Sequence, residues 1–347
     1  MTLPRTMHGV ILTGHGGPEV LEYRDDLPVP QPGPGDVVIR VAAAGVNNTD
    51  INTRVGWYSK GACADDAAWN GVALQFPRIQ GIDVCGHVAA VGRGVDPARI
   101  GARVLVEPCL REANGEALAR PWFLGSECDG GFAQYVRVAA RHAHVIHSVL
   151  SDVQLASFPC SYSTAENMLT RSTVAAGDRV LVTGASGGVG SAAIQLAKAR
   201  GAHVIAATSP DRADSLRDLG ADETVDRTRD LVETVGTDGV DVVIDLVAGP
   251  GFPRLLDVLR PGGRYAVAGA VGGPEVSLDV RTLYLKDLSF FGCTALDPEV
   301  FATLVSRIER GEIAPLVAAE YELRDIADAQ AAFGAKGFTG KIVLSVP

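Results

Sequence analysis

A glycine-rich turn is the feature that most restricts how this chain can fold. The segment from Arg179 to Gly201 reads RVLVTGASGGVGSAAIQLAKARG: a short apolar run, three glycines spaced three residues apart, and then a helical pattern. Such glycines permit a tight turn and a close approach of the backbone to a pyrophosphate, while the start of the helix offers unpaired N–H groups to the anion. The pattern predicts a dinucleotide-binding site, and the alternative is a glycine-rich turn that binds nothing. The candidate residues are Gly184, Ala185, Gly187, Gly188, Val189 and Gly190.

Strand-like and helix-like segments alternate after this turn. HVIAATS and VDVVIDLV read as strands, while DRADSLRDLGA and PRLLDVLRPGG read as helices. Continuous apolar runs such as Val180–Val182 and Val242–Ile244 are typical of strands that are buried on both faces of a parallel sheet. The alternation predicts an α/β fold, a doubly wound parallel sheet of the Rossmann type, over residues 155–294.

The end of the second strand in this series indicates which dinucleotide binds. NAD sites usually carry an acidic residue at this point, about 20 positions after the glycine turn, to hold the ribose hydroxyls. Here Thr208 and Ser209 occupy the tip and Arg212 follows, while Asp211 lies beyond the tip. Small hydroxyls and an arginine suit a 2′-phosphate, so the sequence predicts NADPH, with Arg227 as a second arginine that could reach the phosphate. Each arginine taken alone could instead be a solvated surface charge.

The first part of the chain has a different pattern. It contains short β-branched runs bounded by Gly, Pro and Asp, namely MHGVILT, DVVIRVAAAGV, GHVAAVG and ARVLVEP, which predict an antiparallel, barrel-like β domain. Residues 1–154 would form this domain, joined by a helix and a final strand from residues 295–347. Segments 61–76 and 109–130 lack clear periodicity and are expected to form loops.

Composition excludes several functional classes. The formal net charge of −10 argues against a nucleic-acid partner, since phosphate binding needs a basic surface. No stretch approaches the roughly 20 apolar residues that span a bilayer, and the first residues lack the apolar run of a signal peptide. Six cysteines are scattered without a C-x-x-C pair, which is neither a disulfide framework nor a zinc ribbon. A cytoplasmic protein that binds neither nucleic acid nor membrane is expected.

Motifs along the whole chain resemble the medium-chain dehydrogenase/reductase superfamily. The matches, apart from the glycine turn, are GPEVLEY, PGPGDVVIRVAAAGVN, GIDVCGHVAAVG, GGFAQYV, LRPGGRYAVAGAV and FTGKIVL. The resemblance implies a GroES-like catalytic domain, a Rossmann cofactor domain and an oxidoreductase that acts on a small molecule. Relatives commonly dimerise by pairing the edge strand of the Rossmann sheet, here near LSFFGCT, which implies a homodimer.

Zinc-dependent members of the superfamily differ from this chain at their metal ligands. By the resemblance, Asn47 stands where they have a cysteine, Ile82 where they have a histidine, and Asp83 where they have a glutamate. Cys160 falls near the third ligand position, yet a single thiolate cannot supply the three protein ligands of a catalytic zinc. A buried structural cysteine is therefore the preferred interpretation of Cys160. No metal site is predicted, either here or in the RHAHVIH run of residues 141–147.

The missing zinc ligands favour particular substrates. Hydride transfer to a carbonyl carbon leaves a strongly basic alkoxide, which zinc dehydrogenases stabilise by Lewis-acid contact. Hydride transfer to a quinone, or to the β-carbon of an enone or enoyl thioester, leaves a phenolate or enolate, a weaker base that hydrogen-bond donors can stabilise. We therefore expect a zinc-independent, NADPH-dependent oxidoreductase that acts on a quinone or on the C=C bond of an α,β-unsaturated carbonyl compound.

The loop AAAGVNNTDINTRVGWYSK, residues 42–60, supplies the candidate donors. It resembles the corresponding loop of zinc-free enoyl reductases and quinone oxidoreductases, which implies catalytic roles for Asn47, Asp50 and Tyr58. Tyr58 is the candidate proton donor, and the alternative is an aromatic side chain that only lines a pocket. Asn47 could donate to the substrate oxygen or to the nicotinamide ribose, or could hold the loop by local hydrogen bonds. Asp50 is expected to orient neighbouring backbone.

Further cofactor contacts are expected from later segments. Gly269 and Ala270 in GAVGG, and Phe291 in FFGCT, follow strands and are expected to approach the nicotinamide, with ordinary glycine turns as the alternative. Lys341 recurs in the family and is predicted to bind the cofactor, against the alternative of a surface lysine.

Two rival functions stay open at this point. An alcohol or aldehyde dehydrogenase with an atypical metal site would lose turnover on chelation. A non-catalytic NADPH-binding protein would bind the cofactor tightly without oxidising it in the presence of enones or quinones.

Overall fold

The chain divides into two compact units. The computed structural model describes residues 3–59 and 73–347. One unit comprises Met1–Cys160 and Pro315–Pro347, and the other comprises Ser161–Ala314. The boundaries expected from the sequence lie after residues 154 and 294, and the second of them differs most, because the helix Val300–Glu309 belongs to the second unit.

Among the described residues, strands predominate in the first unit and alternate with helices in the second. The strands are β1 (Thr6–Leu12), β2 (Leu21–Pro28), β3 (Asp36–Val46), β4 (Arg78–Ile79), β5 (Cys85–Val91), β6 (Arg103–Val106), β7 (Cys109–Ala113), β8 (Glu116–Phe123), β9 (Tyr135–Ala139), β10 (Ala143–Val145), β11 (Arg179–Val182), β12 (His203–Thr208), β13 (Glu223–Asp226), β14 (Val240–Asp245), β15 (Leu259–Val267), β16 (Ser289–Gly292), β17 (Val317–Glu322) and β18 (Lys341–Ser345). The helices are α1 (Asn48–Arg54), α2 (Asp152–Leu155), α3 (Pro159–Arg171), α4 (Gly188–Ala199), α5 (Ala213–Asp218), α6 (Leu231–Val235), α7 (Phe252–Val258), α8 (Val280–Leu285), α9 (Val300–Glu309) and α10 (Ile326–Ala335). No helix in the described part of the chain is long and apolar enough to cross a membrane.

The long strand β3 organises the first unit. Its valine and isoleucine side chains are buried, and it pairs antiparallel with β5, β9 and β18. The main sheet has the strand order β10-β6-β5-β3-β18-β17, with β9 also beside β3, and a smaller sheet has the order β2-β1-β4. The antiparallel β domain expected from the first part of the sequence is present, and β17 and α10, which the sequence pattern did not reveal, are added to it by the returning chain.

A hairpin forms where the sequence pattern predicts a loop. Residues 109–130 contain β7 and β8, which pair antiparallel with Cys109 opposite Phe123. The turn between them is Asn114-Gly115, and the two residues have positive φ angles of 54° and 77°. Asn-Gly is the strongest short signal for a two-residue hairpin turn, so the prediction of a loop was wrong although the sequence held the signal. The other expected loop, residues 61–76, lies largely outside the described residues.

A parallel sheet forms the centre of the second unit. Its strand order is β13-β12-β11-β14-β15-β16, and every neighbouring pair is parallel. The two apolar runs identified in the sequence, Val180–Val182 and Val242–Ile244, pair directly and are fully buried. The prediction of a doubly wound sheet of the Rossmann type is confirmed.

The carboxyl ends of the parallel strands define where a ligand can bind in this unit. From β11 the chain runs outward through β12 to β13, and it then returns to add β14 on the other side of β11. The loops after β11 and β14 therefore leave the sheet in opposite directions. A crevice between such loops is the usual ligand site of open α/β sheets.

Candidate active site

Asn47 and Asp50 lie at the junction of β3 and α1. Asn47 directly follows Val46, the last residue of β3, and precedes the first turn of the helix. Oδ2 of Asp50 accepts a hydrogen bond from the backbone N–H of Asn47 at 2.8 Å, which closes the start of the helix. Gln80 Nε2 donates to the backbone carbonyl of Asp50 at 3.0 Å. Asp50 is buried, and burial raises the pKa of its carboxyl group to about 7.

The side chain of Asn47 belongs to a buried polar group, the Asp83 cluster, formed by Asn47, Asp83, Lys341 and the backbone N–H of Cys160. Nδ2 of Asn47 donates to Oδ2 of Asp83 at 2.8 Å, and Nζ of Lys341 lies 2.7 Å from the same oxygen. Lys341 also donates to Oδ1 of Asn47. Oδ1 of Asp83 accepts the N–H of Cys160 at 2.5 Å. Because the side chains of Asp83 and Lys341 are only 0% and 2% exposed, each charge is balanced by the other and not by water.

The cluster changes the roles open to its members. Both ends of the Asn47 amide are engaged. Oδ1 accepts a hydrogen bond from Lys341, and Nδ2, which donates to Asp83, also lies 3.3 Å from the carbonyl oxygen of Gly45. The ammonium group of Lys341 is bound by Asp83 and Asn47, so the cofactor contact predicted for this residue would have to break a buried ion pair. Asp83 is the centre of the group, although the sequence marked it only as the residue that replaces the glutamate next to the zinc-ligand histidine. Gly45 makes room for it, because a Cβ atom at Gly45 would collide with the Asp83 carboxylate.

The ligand positions of the zinc-dependent members hold a different chemistry here. Asn47 and Asp83 bond to each other, Ile82 is an apolar side chain that is 2% exposed, and Cys160 is buried. Within residues 3–59 and 73–347, no group of three His, Cys, Asp or Glu side chains is placed to hold a metal ion.

The first histidine of the 141–147 run supports the hairpin. Nε2 of His142 accepts the backbone N–H groups of Arg111 and Glu112, on β7, at 3.0 and 3.2 Å. Since Nε2 accepts, Nδ1 must carry the proton, and it donates to Oε2 of Glu107 at 2.8 Å. The contact ties β7 to the residue that follows β6, which is a structural role.

Tyr58 lies just beyond α1. Its hydroxyl group donates to Oγ1 of Thr49 at 3.2 Å, and the ring of Trp57 packs edge-on against its ring with centroids 5.3 Å apart. Burial raises the pKa of Tyr58, partly offset by hydrogen bonds with Thr49 and Asn52. The hydroxyl group therefore keeps its proton at neutral pH and can serve as a hydrogen-bond donor.

The glycine turn of the second unit has the form that the sequence predicts. Gly184, just after β11, has a φ angle of 57°, a backbone conformation that residues other than glycine rarely adopt. Gly187 is the N-cap residue of α4. A Cβ atom at Gly190 would collide with the carbonyl oxygen of Gly184, so only glycine lets the helix start this close to the turn. Ala185 and Ser186 complete the turn, and Gly188 and Val189 are the first two residues of α4. The first N–H groups of α4 have no acceptor within the helix and are suited to bind an anion.

The tip of β12 lies beside this turn. Arg212 Nη1 donates to Oγ of Ser186 in the turn at 3.2 Å, and the backbone N–H of Arg227 donates to the carbonyl of Thr208 at 2.9 Å. Thr208 is buried, yet its Oγ1 has no hydrogen-bond partner among the described residues, which is unusual for a buried hydroxyl group. A cavity of about 350 Å³ opens here, lined by Thr208, Ser209, Pro210, Ala213, Asp214, Arg217, Thr224, Val225 and Asp226. The tip thus combines hydroxyl groups with nearby arginines.

The loops after β14 and β15 lie against each other at the same edge of the sheet. The N–H of Gly272 donates to the carbonyl of Val247 at 2.8 Å. A Cβ atom at Gly249 would collide with the carbonyl of Gly272, so the two loops touch through their backbones. Of the residues expected near the nicotinamide, Gly269 and Ala270 lie in the second of these loops and Phe291 lies on β16.

Comparisons with known proteins find a family match in each of the two units. Residues 33–148 match the family of alcohol dehydrogenase GroES-like domains, and residues 188–310 match the zinc-binding dehydrogenase family. The chain is 31% identical to a quinone oxidoreductase of Lama guanicoe, over 98% of each chain. It is also 31% identical to an acryloyl-coenzyme A reductase of Metallosphaera sedula, over 98% of this chain and 100% of that one. A solved structure from Sinorhizobium meliloti 1021 is 47% identical with a TM-score of 0.92, and the match covers 99% of this chain and 98% of that one.

These matches confirm the fold class and the enzyme class. The GroES-like domain and the Rossmann sheet are both present, and the relatives that cover the whole chain are oxidoreductases. The protein is therefore an oxidoreductase that uses a nicotinamide cofactor and acts on a small molecule. The chain belongs to the zinc-type alcohol dehydrogenase-like medium-chain dehydrogenase/reductase superfamily, in its quinone oxidoreductase branch.

Proposed function

We propose that the protein is a zinc-independent, NADPH-dependent oxidoreductase that reduces a quinone or the C=C bond of an α,β-unsaturated carbonyl compound. The Asp83 cluster is the observation that supports this proposal most. An asparagine amide and an isoleucine are not zinc ligands, and the Lys341 ammonium group, bound to Asp83, would repel a metal cation. Without a Lewis acid, the chemistry favours acceptors whose reduction leaves a weakly basic oxyanion.

The names of two relatives point to the same class of acceptor. One is called a quinone oxidoreductase, and the other is called an acryloyl-coenzyme A reductase. A quinone and an acryloyl thioester are both conjugated with a carbonyl group, so hydride addition to either leaves a delocalised oxyanion. For the present chain we infer an acceptor of this conjugated kind, without assigning either of the two particular substrates.

The residues of the first unit would stabilise that oxyanion. When bound, NADPH supplies the hydride that the acceptor carbon receives. Electrons of the conjugated system would then move onto the carbonyl oxygen, and the hydroxyl group of Tyr58 would turn its proton from Thr49 to donate a hydrogen bond to that oxygen. Tyr58 or solvent supplies the proton that completes the reduction. Asn47 acts as a positioning residue, because Asp83 and Lys341 hold its amide, and Asp50 fixes its backbone.

The preference for NADPH over NADH rests on the tip of β12. Thr208 and Ser209 stand where NAD-dependent enzymes place a carboxylate for the ribose hydroxyls. The Thr208 Oγ1 atom is unsatisfied, and Arg212 and Arg227 lie at the same corner. These groups would hold a 2′-phosphate, while the glycine turn would hold the pyrophosphate. Gly269, Ala270 and Phe291 stay proposed neighbours of the nicotinamide.

Selective turnover with conjugated acceptors is the expected result of an assay panel. The purified chain should oxidise NADPH with a quinone or an enone at least about 100-fold faster than with an aldehyde, because only the conjugated oxyanions can be stabilised by hydrogen bonds alone. It should prefer NADPH to NADH in kcat/KM, and EDTA should not change its rate. Elemental analysis of the same preparation gives the metal content. Aldehyde turnover that EDTA abolishes would favour a metal-dependent alcohol dehydrogenase, and NADPH binding without any turnover would favour a non-catalytic protein.

We also propose that the protein is a homodimer formed through the second unit. The strand β16 lies at the outer edge of the parallel sheet, beside β15. Apolar side chains that are 37–70% exposed lie on this strand and on the chain segment that leads to it: Val271, Val276, Leu278, Val280, Tyr284, Leu285 and Phe290. An edge strand beside an exposed apolar patch is suited to pair with a second copy.

A charge in this patch is expected to separate the subunits. Leu285→Arg should convert a dimer, of twice the 36.2 kDa chain mass, into monomers in sedimentation velocity measurements. Val149→Arg is the matched control, because Val149 is fully exposed in the first unit and should leave the mass unchanged. A parent chain that sediments as a monomer would contradict the proposal.

A further inference from the structure

Asp245, the last residue of β14, carries a carboxylate at the carboxyl edge of the parallel sheet. Its side chain is fully buried and accepts hydrogen bonds from Oγ1 of Thr183 and from the hydroxyl group of Tyr265, each at 2.5 Å. The backbone N–H groups of Val247 and Ala248 donate to it at 2.9 and 3.1 Å. Burial and the adjacent carboxylate raise the pKa of Tyr265, so Tyr265 stays a donor. The carboxylate thus collects donors from β15 and from the ends of β11 and β14.

These bonds join two loops at the carboxyl edge of the sheet. Thr183 directly precedes Gly184 of the glycine turn, and its Oγ1 also accepts the N–H of Leu246 at 3.0 Å. Ala248 has a φ angle of 53°, a strained conformation that must be held by its surroundings. Asp245 therefore fixes the glycine turn against the loop after β14, on the two sides of the crevice where the strand order reverses.

The two hydroxyl partners of Asp245 act in different directions. Tyr265 is 3% exposed and lies within the sheet, so its bond anchors the carboxylate to the core. Thr183 lies between the carboxylate and the glycine turn, so its hydrogen bond holds the glycine turn to the anchored carboxylate. Loss of the first bond should weaken the fold, whereas loss of the second should leave the turn less fixed in an otherwise intact sheet.

We propose that Asp245 is a positioning residue for the nicotinamide cofactor and that it acts through Thr183, without touching the cofactor itself. The proposal rests on the cofactor site described under the proposed function. A pyrophosphate is bound by several backbone N–H groups at once, so their relative positions must be set before the ligand arrives. The Asp245–Thr183 bond sets them for the glycine turn.

Direct binding measurements test the proposal. Thr183→Val keeps the shape of the side chain but removes the hydroxyl group, and it should raise the Kd for NADPH about tenfold, as loss of a buried hydrogen bond does. The KM for NADPH should rise in parallel, while kcat at saturating NADPH changes little. Thr183→Ser keeps the hydroxyl group and should restore the parent Kd. Quenching of protein fluorescence by NADPH gives the Kd, and thermal unfolding gives the stability of each variant.

Tyr265→Phe is the matched control. It should lower the unfolding midpoint and leave the Kd within about twofold of the parent value, because the N–H groups of Val247 and Ala248 still hold the carboxylate and its bond to Thr183 is kept. An unchanged Kd in Thr183→Val, no rescue by Thr183→Ser, or equal rises in Thr183→Val and Tyr265→Phe would overturn the positioning role. Failure of the parent chain to bind either NADPH or NADH would instead contradict the proposed cofactor site itself. Failure of the positioning role and failure of the cofactor site are therefore distinguishable.

Discussion

Replacement of Lys341 by methionine is expected to lower the free energy of unfolding by about 3–5 kcal/mol, the usual cost of breaking a buried ion pair from one side. Methionine keeps an unbranched side chain of similar length but removes the charge. The Asp83 carboxylate, which is fully buried, would keep only its neutral donors, the Asn47 amide and the Cys160 N–H. A carboxylate in that environment has neither water nor a cation to stabilise it. Urea denaturation of the parent and variant chains measures the loss.

Two further variants separate the effect of charge from that of packing. In the double variant Asp83→Asn/Lys341→Met neither charge is present, so most of the lost stability should return. Lys198→Met removes a surface ion pair between Lys198 and Asp222, two side chains that are 35% and 30% exposed. That control should cost less than about 1 kcal/mol. A Lys341→Met variant that is no less stable than Lys198→Met would show that the buried pair does not stabilise the protein.

The substitution Tyr58→Phe is expected to lower kcat about 100- to 1000-fold with a quinone or enone acceptor, as loss of one donor to a reacting oxyanion does. The ring and its edge-on contact with Trp57 are kept, so the pocket should not collapse. Stopped-flow measurement of NADPH oxidation under single-turnover conditions would place the loss in the chemical step. The KM for NADPH should change little, because Tyr58 is not among the residues proposed to bind the cofactor.

Thr49 provides the control for this variant. Its Oγ1 accepts the hydrogen bond of Tyr58, so Thr49→Val removes that partner and leaves the hydroxyl group of Tyr58 in place. We expect kcat within about threefold of the parent value, since the donor to the oxyanion is retained. Equal kcat values for Tyr58→Phe and the parent chain would reduce Tyr58 to a side chain that lines the pocket.

The second unit was largely predictable because its signals are local. The glycines at 184, 187 and 190 lie within one turn, and the buried strands are unbroken apolar runs that can be recognised one at a time. Parallel order and the position of the ligand crevice then follow from general rules of α/β topology. The missed hairpin at Asn114-Gly115 had an equally local signal, so the information was present there as well.

The Asp83 cluster could not be predicted in the same way. Asp83 and Lys341 lie in segments far apart in the chain, and each alone resembles an ordinary charged residue. Their pairing is a product of tertiary packing, which brings β18 beside β3 and the following helix. The sequence showed only that Asn47 and Ile82 replace zinc ligands and that Asp83 replaces the neighbouring glutamate, and not what balances the Asp83 carboxylate. Asp245 was missed for the same reason, because its partners come from the two neighbouring strands: Thr183 follows β11 and Tyr265 lies on β15.

The position of β18 has a consequence for biosynthesis. This strand lies between β3 and β17, yet it is translated after the entire second unit. On the ribosome, the edge of β3 that will receive Ile342 and Leu344 stays open while the intervening residues are made. The second unit is continuous in sequence and can fold during this interval, whereas the nascent first unit exposes an apolar strand edge to other chains. We therefore expect the nascent chain to be most prone to misassociation in the interval before β18 is made.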